Sequence, residues 1–445
     1  MPYANHRLIH DADSHLMELD DCLDAFFAPQ HLAAFHASVG YQAALQRNLR
    51  PGRSRAAHAD AAFRAGVDAH LMLRKNHEAH GAFIAADRPP ALDLLGFASQ
   101  LVFTTFCLGN FGLDQGSDMP LCYAAAQAHN RMLADFCAAD ARLLATAYIP
   151  LEDPARALAL TTEAIQLGAK ALLLPSRCPQ QHAPSHIALD AVWAQAQEAG
   201  IPVLFHVGGE DKMNPVYKVN GLAAVPDFHG GDDNFTSVSY MAIPVAVMQT
   251  LATLIFDGVL DRFPRLKFGA IELGASWLPG WMRAMDSAAH AFTRNETRLQ
   301  RLSTTPSEIV RRQLRVTPYP HEDAGWIVRQ AGPEVAMFSS DYPHVEGGRH
   351  PLKRFDEALQ GCSPAAVQRF YADNFIDLMG AGLAPELRRP APCGAPPCCV
   401  GVTVLSTSNL QPTAQTTPCH CPPSKPCSTP LTTALPPSRS TGPRR

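Results

Sequence analysis

Residues 11 to 18 read DADSHLME and follow Arg7-Leu8-Ile9-His10, a stretch patterned as a half-buried strand. Side chains two apart on a strand share a face, so Asp11, Asp13 and His15 look one way. Such a trio could hold a divalent cation, satisfy itself by hydrogen bonds, or sit solvated after a strand. Comparable residues end later apolar runs: His206 in PVLFHVGG, Glu272 in LKFGAIELG and Asp341 in VAMFSSDYPH. A buried carboxylate without a partner is costly, so three acids and two imidazoles aimed at one point need mutual pairing or a cation. The chemistry to expect is that of a metal-assisted site.

The elements that would gather these residues are legible between positions 100 and 344. Short apolar runs (QLVFTTF, LLATAYIPL, AKALLLPS, PVLFHVGG, LKFGAIELG, LRVTPYP, VAMFSSDYPH) alternate with helical segments, and the opening strand completes eight β segments. Helices are predicted over 119–139, 153–167, 188–199 and about 239–263. Near-continuous apolar strands separated by helices imply parallel pairing, and eight such units predict an α/β fold of the (β/α)8 TIM-barrel type. An open doubly wound sheet would carry a glycine-rich turn after the first strand, and DADSHLMEL contains no glycine. In a barrel the carboxyl ends of the strands face the active site, which is where the five residues fall, together with Thr104, Thr105, Ser176 and Arg177.

With 47% hydrophobic and 18% charged residues, the 445-residue chain has material for a large core. A formal net charge of −4 argues against nucleic-acid or anionic-membrane surfaces and leaves a small molecule as the natural partner. No run of 18 apolar residues occurs and the amino terminus lacks a basic-then-apolar leader, so a cytoplasmic protein is expected. Cys22, Cys107, Cys122, Cys137, Cys178 and Cys362 read as reduced thiols. The other six of the twelve cysteines follow residue 380, where Pro, Ser and Thr dominate. Residues 1–380 therefore form the barrel and 381–445 a disordered tail, in which Cys419-His420-Cys421 lacks a second ligand pair.

IHDADSHLME, DPARALALTTEAIQLGAKALLL, IPVLFHVGG, GVLDRFPRLKFGAIELGASWLP, MFSSDYPH and YADNFIDLMG together resemble the amidohydrolase superfamily. Within it they are most similar to the amidohydrolase-related branch that includes aminocarboxymuconate-semialdehyde decarboxylase and the resorcylate-type decarboxylases. The resemblance runs from about residue 7 to 380 and implies the same eight-fold barrel. It implies His15, His206 and Asp341 as metal ligands, with Asp13 in place of the first histidine of the family's His-x-His. Glu272 stands where better-known members carry a histidine, and could bind the metal, orient substrate or support another ligand. Two-metal members place a carbamylated lysine at the end of strand four, whereas ALLLPSR offers none and Lys170 lies at the strand's start. One divalent ion, zinc or manganese, is therefore implied.

Three carboxylates against a dication leave a charge of −1, which weakens acidification of bound water. The resemblance thus implies a carboxy-lyase, a non-oxidative decarboxylase of a small aromatic or unsaturated carboxylic acid, with Asp341 or His206 moving the proton. A hydrolase of a small lactone, ester or amide would use the same residues, and a catalytically inactive, ligand-binding barrel is a third reading. A carboxylate substrate needs a cationic anchor, for which Arg177, Lys212, Lys218 and Arg349 are candidates. His344 and Tyr342 are placed to touch substrate, and Trp277 and Trp281 to pack or line the mouth. Glu18 would cap a helix or accept a proton from a ligand histidine. The insert 210–237 reads as a lid, and the apolar helix IPVAVMQTLATLIFDGVL as an internal or homodimer contact.

Overall fold

Seven short strands carry the apolar runs: β1 (His10–Leu16), β2 (Ser99–Thr104), β3 (Leu143–Tyr148), β4 (Ala171–Leu174), β5 (Val203–His206), β6 (Phe268–Ile271) and β7 (Leu314–Val316). They pair in parallel in chain order. Every residue in them is buried, as a parallel sheet covered by its own crossover helices requires. This computed structural model describes residues 2–388, apart from 5–6, 39–40, 43–50, 108–112, 114–115, 117, 211–212, 224 and 227–235.

The eighth run closes the ring without becoming a strand. It bridges β7 at Val316–Ala336 and β1 at Ser14–Tyr342. Met337 N–H donates to Val316 O (2.9 Å), Ala12 N–H to Phe338 O (3.1 Å), Asp341 N–H to Asp13 O (3.0 Å) and His15 N–H to Tyr342 O (2.7 Å). A regular ladder fails because other donors of this segment bond elsewhere. Phe338 N–H goes to Phe370 O (2.8 Å) and Ser340 N–H to the Asp11 carboxylate (2.7 Å). Asp341 itself has φ +52°, a left-handed conformation that no strand holds. The barrel is thus built of seven strands and one bridging segment rather than eight strands.

Helix starts follow local chemistry. Asp118, Asp153 and Asp323 accept first-turn N–H groups of Met119–Cys137, Pro154–Gln166 and Ala324–Ala331. The helix predicted over 239–263 divides into Ser237–Phe256 and Val259–Arg262, because Gly258 between them takes φ +72°. Ser237–Phe256, with mean hydropathy 1.7, is long and apolar enough by length and composition to cross a membrane. Its buried residues Ile243, Val247, Leu251 and Leu254 form one helical stripe, while Val238, Met241 and Val245 are exposed.

β1 differs from the sequence expectation in one respect that matters for the site. Asp11 pairs with Gln100 and Ser14 with Val102, so β1 holds one residue more than β2 over this interval. The bulge breaks the two-residue alternation, and Asp11 does not share the face of Asp13 and His15. At the other end, residues 381–388 are part of the described chain. Leu383 is buried and the Arg388 guanidinium donates to its carbonyl at 2.8 Å. The rest of the expected tail, 389–445, lies outside the described residues.

Candidate metal centre

Asp13 and His15 on β1, His206 at the end of β5, Glu272 just after β6 and Asp341 in the eighth segment come together at the carboxyl-terminal mouth. Donor atoms of Asp13, His15, His206 and Glu272 all lie within 4.8 Å of one another, as do those of His15, Glu272, Asp341 and His344. His15 Nε2 is 3.2 Å from Asp13 Oδ1, 3.8 Å from Glu272 Oε2 and 3.6 Å from Asp341 Oδ1. His206 Nε2 is 3.4 Å from Asp13 Oδ1 and 3.3 Å from Glu272 Oε2. Glu272 and Asp341 are two of three non-glycine residues with positive φ among the described residues, at +53° and +52°. Strain of this kind persists where surrounding structure enforces it, and here it turns two carboxylates inward.

The histidine tautomers follow from their outer bonds. His15 Nδ1 lies 3.1 Å from Thr104 O and His206 Nδ1 2.9 Å from Val207 O. A carbonyl only accepts, so each Nδ1 carries hydrogen and each ring turns its Nε2 toward the acids. Nitrogens without hydrogen repel the carboxylate oxygens they face unless a cation lies between them. His15 Nε2 and both carboxylate oxygens of Asp341 are buried with no hydrogen bond. His344 Nδ1 approaches Asp341 Oδ1 to 2.9 Å, but off the line of a hydrogen bond, so that contact is one of charge. These orphaned atoms fit a divalent ion, and a donor set of imidazoles and carboxylates suits zinc or manganese.

The electrostatics agree with crowded acids. Burial raises Glu272 well above the usual carboxylate range, with Asp341 and Asp13 adding to it. Burial would also raise Asp13, but the neighbouring His15 and His206 imidazoles hold it well below that range. Burial lowers His15 to about 4, with His344 contributing. For His344 burial acts downward, yet Asp341 outweighs it and the ring is raised.

Around the cup the structure sorts the remaining sequence candidates. His344 stacks on His15 at 3.8 Å between centroids and bonds Thr105 Oγ1 through Nε2 at 2.9 Å. Tyr342 does not face the site: it is fully buried and its hydroxyl donates to His80 O. Trp277 and Trp281 pack edge to face at 5.3 Å. Glu18 neither caps a helix nor touches a ligand histidine. Its carboxylate accepts the N–H groups of Thr105, Phe106 and Cys107 at 2.8, 3.1 and 2.9 Å, fixing the loop after β2.

Of the proposed anchors, Arg177 is buried, Lys218 and Arg349 are exposed, and Lys212 lies outside the described residues, as does part of the 210–237 insert. Sequence reasoning missed Lys75. Its ammonium is enclosed without a hydrogen-bond partner; burial lowers it to about 8, opposed by Asp341 and Glu346. The neighbouring Asn76 N–H is pinned to Pro343 O at 2.9 Å, which ties this turn to the segment bearing Asp341. No motif in LMLRKNHEAHG signals that contact.

The sequence matches the family described as Amidohydrolase over residues 44–378, more than half of the chain. The chain belongs to the amidohydrolase family. The match takes in His206, Glu272 and Asp341 and begins after the strand that carries Asp13 and His15. Among solved structures, this amidohydrolase is similar to amidohydrolase map2389c from Mycobacterium avium subsp. paratuberculosis K-10, at 21% identity and TM-score 0.62, covering 85% of this chain and 100% of that one. It is similar to 5-carboxyvanillate decarboxylase from Novosphingobium aromaticivorans DSM 12444, complexed with manganese and 4-hydroxy-3-methoxy-5-nitrobenzoic acid (16%, TM-score 0.57, 84% and 96% covered). It is also similar to dihydroxybenzoic acid decarboxylase from Polaromonas sp. JS666 with bound manganese and 2-nitroresorcinol (15%, TM-score 0.53, 84% and 97% covered). These likenesses establish the TIM-barrel fold of the amidohydrolase. No curated protein matches it by sequence.

Proposed function

We propose that this protein is a metal-dependent carboxy-lyase acting on a small aromatic or unsaturated carboxylic acid. The observation that carries the reading is the cup itself: inward-facing Nε2 atoms and unbonded Asp341 oxygens held against Asp13 and Glu272. Asp13, His15, His206 and Asp341 would hold one zinc or manganese ion, with Glu272 a further ligand or a support. When bound, such an ion supplies Lewis-acid stabilisation of negative charge on the substrate. Two of the similar structures are manganese-containing decarboxylases of aromatic acids, which supports the class.

The chain's own residues supply binding and proton handling. Lys75, an enclosed ammonium without a partner, anchors an anionic group of the substrate. Asp341 carries unbonded oxygens beside His344 and relays a proton, taken up from solvent water, to the carbon from which carbon dioxide departs. Tyr319, whose hydroxyl donates to Glu272 O at 2.6 Å, lines a small pocket beside Asp13, Glu272 and Asp341 together with Thr317 and Glu346. The free Asp341 oxygens also suit a base that activates water, which keeps hydrolysis of a lactone, ester or amide as the second reading. The protein is proposed to be cytoplasmic.

Elemental mass spectrometry of the purified chain and of His206→Ala tests the cup. About one zinc or manganese per chain, lost in the variant, is the expected result. A panel of hydroxybenzoic and unsaturated acids then separates carbon dioxide release from ester or lactone cleavage. A metal-free wild type would overturn the proposal in favour of a binding role.

A further inference from the structure

Asp11 lies two residues before Asp13, yet its side chain turns away from the cup into a fully buried network. Oδ1 accepts Ser340 N–H at 2.7 Å and Asp13 N–H at 3.4 Å. Oδ2 accepts Ser340 Oγ–H at 2.6 Å and Gln100 Nε2–H at 2.8 Å. Gln100 is oriented in turn by Arg88, whose Nε donates to Gln100 Oε1 at 3.2 Å and whose Nη1 donates to His15 O at 3.1 Å. Ser340 Oγ also accepts Tyr342 N–H at 3.1 Å. One carboxylate thus ties together β1, β2 and the residue immediately before Asp341.

That tie lies where ordinary ladder bonding is missing. The eighth segment makes only isolated bridges to its neighbours, and Asp341 sits in a left-handed conformation with no side-chain hydrogen bond of its own. Besides the bonds of the flanking Tyr342 and Pro343 carbonyls to His15 and Asn76, Asp341 is held relative to Asp13 by its own N–H bond to Asp13 O and by the Asp11 clamp on Ser340. We propose that Asp11 is a positioning residue: it sets the geometry of Asp13 and Asp341 and so the affinity and coordination of the ion. The inference rests on the reading of the cup as a metal centre.

The test compares Mn²⁺ affinity, followed by the electron paramagnetic resonance of free Mn²⁺, and the visible absorption of the Co²⁺-loaded protein. Wild type, Asp11→Asn, Ser340→Ala and a distant control, Gln313→Ala, are measured as full-length chains. Gln313 is fully buried and donates to three carbonyls at 3.0 Å, those of Leu260, Phe263 and Leu266, so its loss destabilises the barrel without touching the cup. Asp11→Asn puts an amide where two donors converge, and Ser340→Ala removes the hydroxyl link while leaving the carboxylate.

Supports of metal ligands are worth about 10- to 100-fold in affinity, so a weakening of that order with a changed Co²⁺ spectrum is expected for Asp11→Asn. Ser340→Ala should weaken binding less, and Gln313→Ala should bind as wild type does. Ser340→Ala carries the test if Asp11→Asn does not fold. Unchanged affinity and spectrum in the folded clamp variants, or an equal loss in Gln313→Ala, overturns the inference while leaving the metal centre standing. Absence of binding to wild type overturns the metal reading first.

Discussion

Replacing Glu18 by alanine removes one carboxylate from a place no water reaches. The side chain is 2% exposed and accepts three backbone N–H groups, those of Thr105, Phe106 and Cys107. A buried donor left unpaired costs about 1–3 kcal/mol, so three of them place the loss at about 3 kcal/mol or more even if the loop relaxes. At about 2 °C per kcal/mol for a chain of this size, the melting temperature should fall by about 6 °C. Glu18→Gln separates the terms. An amide that keeps its oxygen at Oε2 retains the Thr105 and Phe106 bonds and loses only that of Cys107, so it should melt between wild type and Glu18→Ala. Because Thr105 Oγ1 holds His344 Nε2 at 2.9 Å, both variants should also weaken metal binding. Differential scanning calorimetry with Mn²⁺ titration measures both effects. A Glu18→Ala protein that melts and binds Mn²⁺ as wild type does would refute the assignment of Glu18 as the clamp on this loop.

Three further outcomes follow from the same geometry. Lys75→Met should raise KM for an anionic substrate about ten- to a hundred-fold with a smaller change in kcat, since a charge-assisted bond is worth about 1.5–3 kcal/mol; steady-state kinetics would contradict this if kcat alone fell. Gly347→Ala would drive a Cβ into Ser340 O and to 3.0 Å from Asp341 Cβ, so the backbone beside Asp341 must move; elemental analysis should find less than stoichiometric metal, and full occupancy would disprove the close contact. Truncation after Ala381 discards buried Leu383 and the Arg388 bond and should cost about 2 kcal/mol or more in urea unfolding, whereas truncation after Arg388 should cost little. Equal midpoints for the two truncations would place the barrel's end at 381.

The residues of the cup were legible in the chain because chemistry and periodicity coincide there: Asp13, His15, His206, Glu272 and Asp341 each stand at the end of an apolar run. The barrel was legible for the same reason, since strands buried on both faces must be apolar throughout. Several features depended on tertiary structure. Asp11 looks equivalent to Asp13 until the β1 bulge sends its carboxylate to Ser340 and Gln100. The eighth strand is lost because its donors bond to Asp11 and Phe370, partners 329 and 32 residues distant in the chain. Tyr342 and His344, two apart, part company when one is buried under His80 and the other stacks on His15. Lys75 has no local signature, because what distinguishes it is the absence of a partner in a buried place, a property of the folded surroundings. By itself the sequence determined which groups could do chemistry and the fold that carries them. The direction each group faces was decided by bulges, positive φ and long-range bonds, which depend on contacts between residues far apart in the chain.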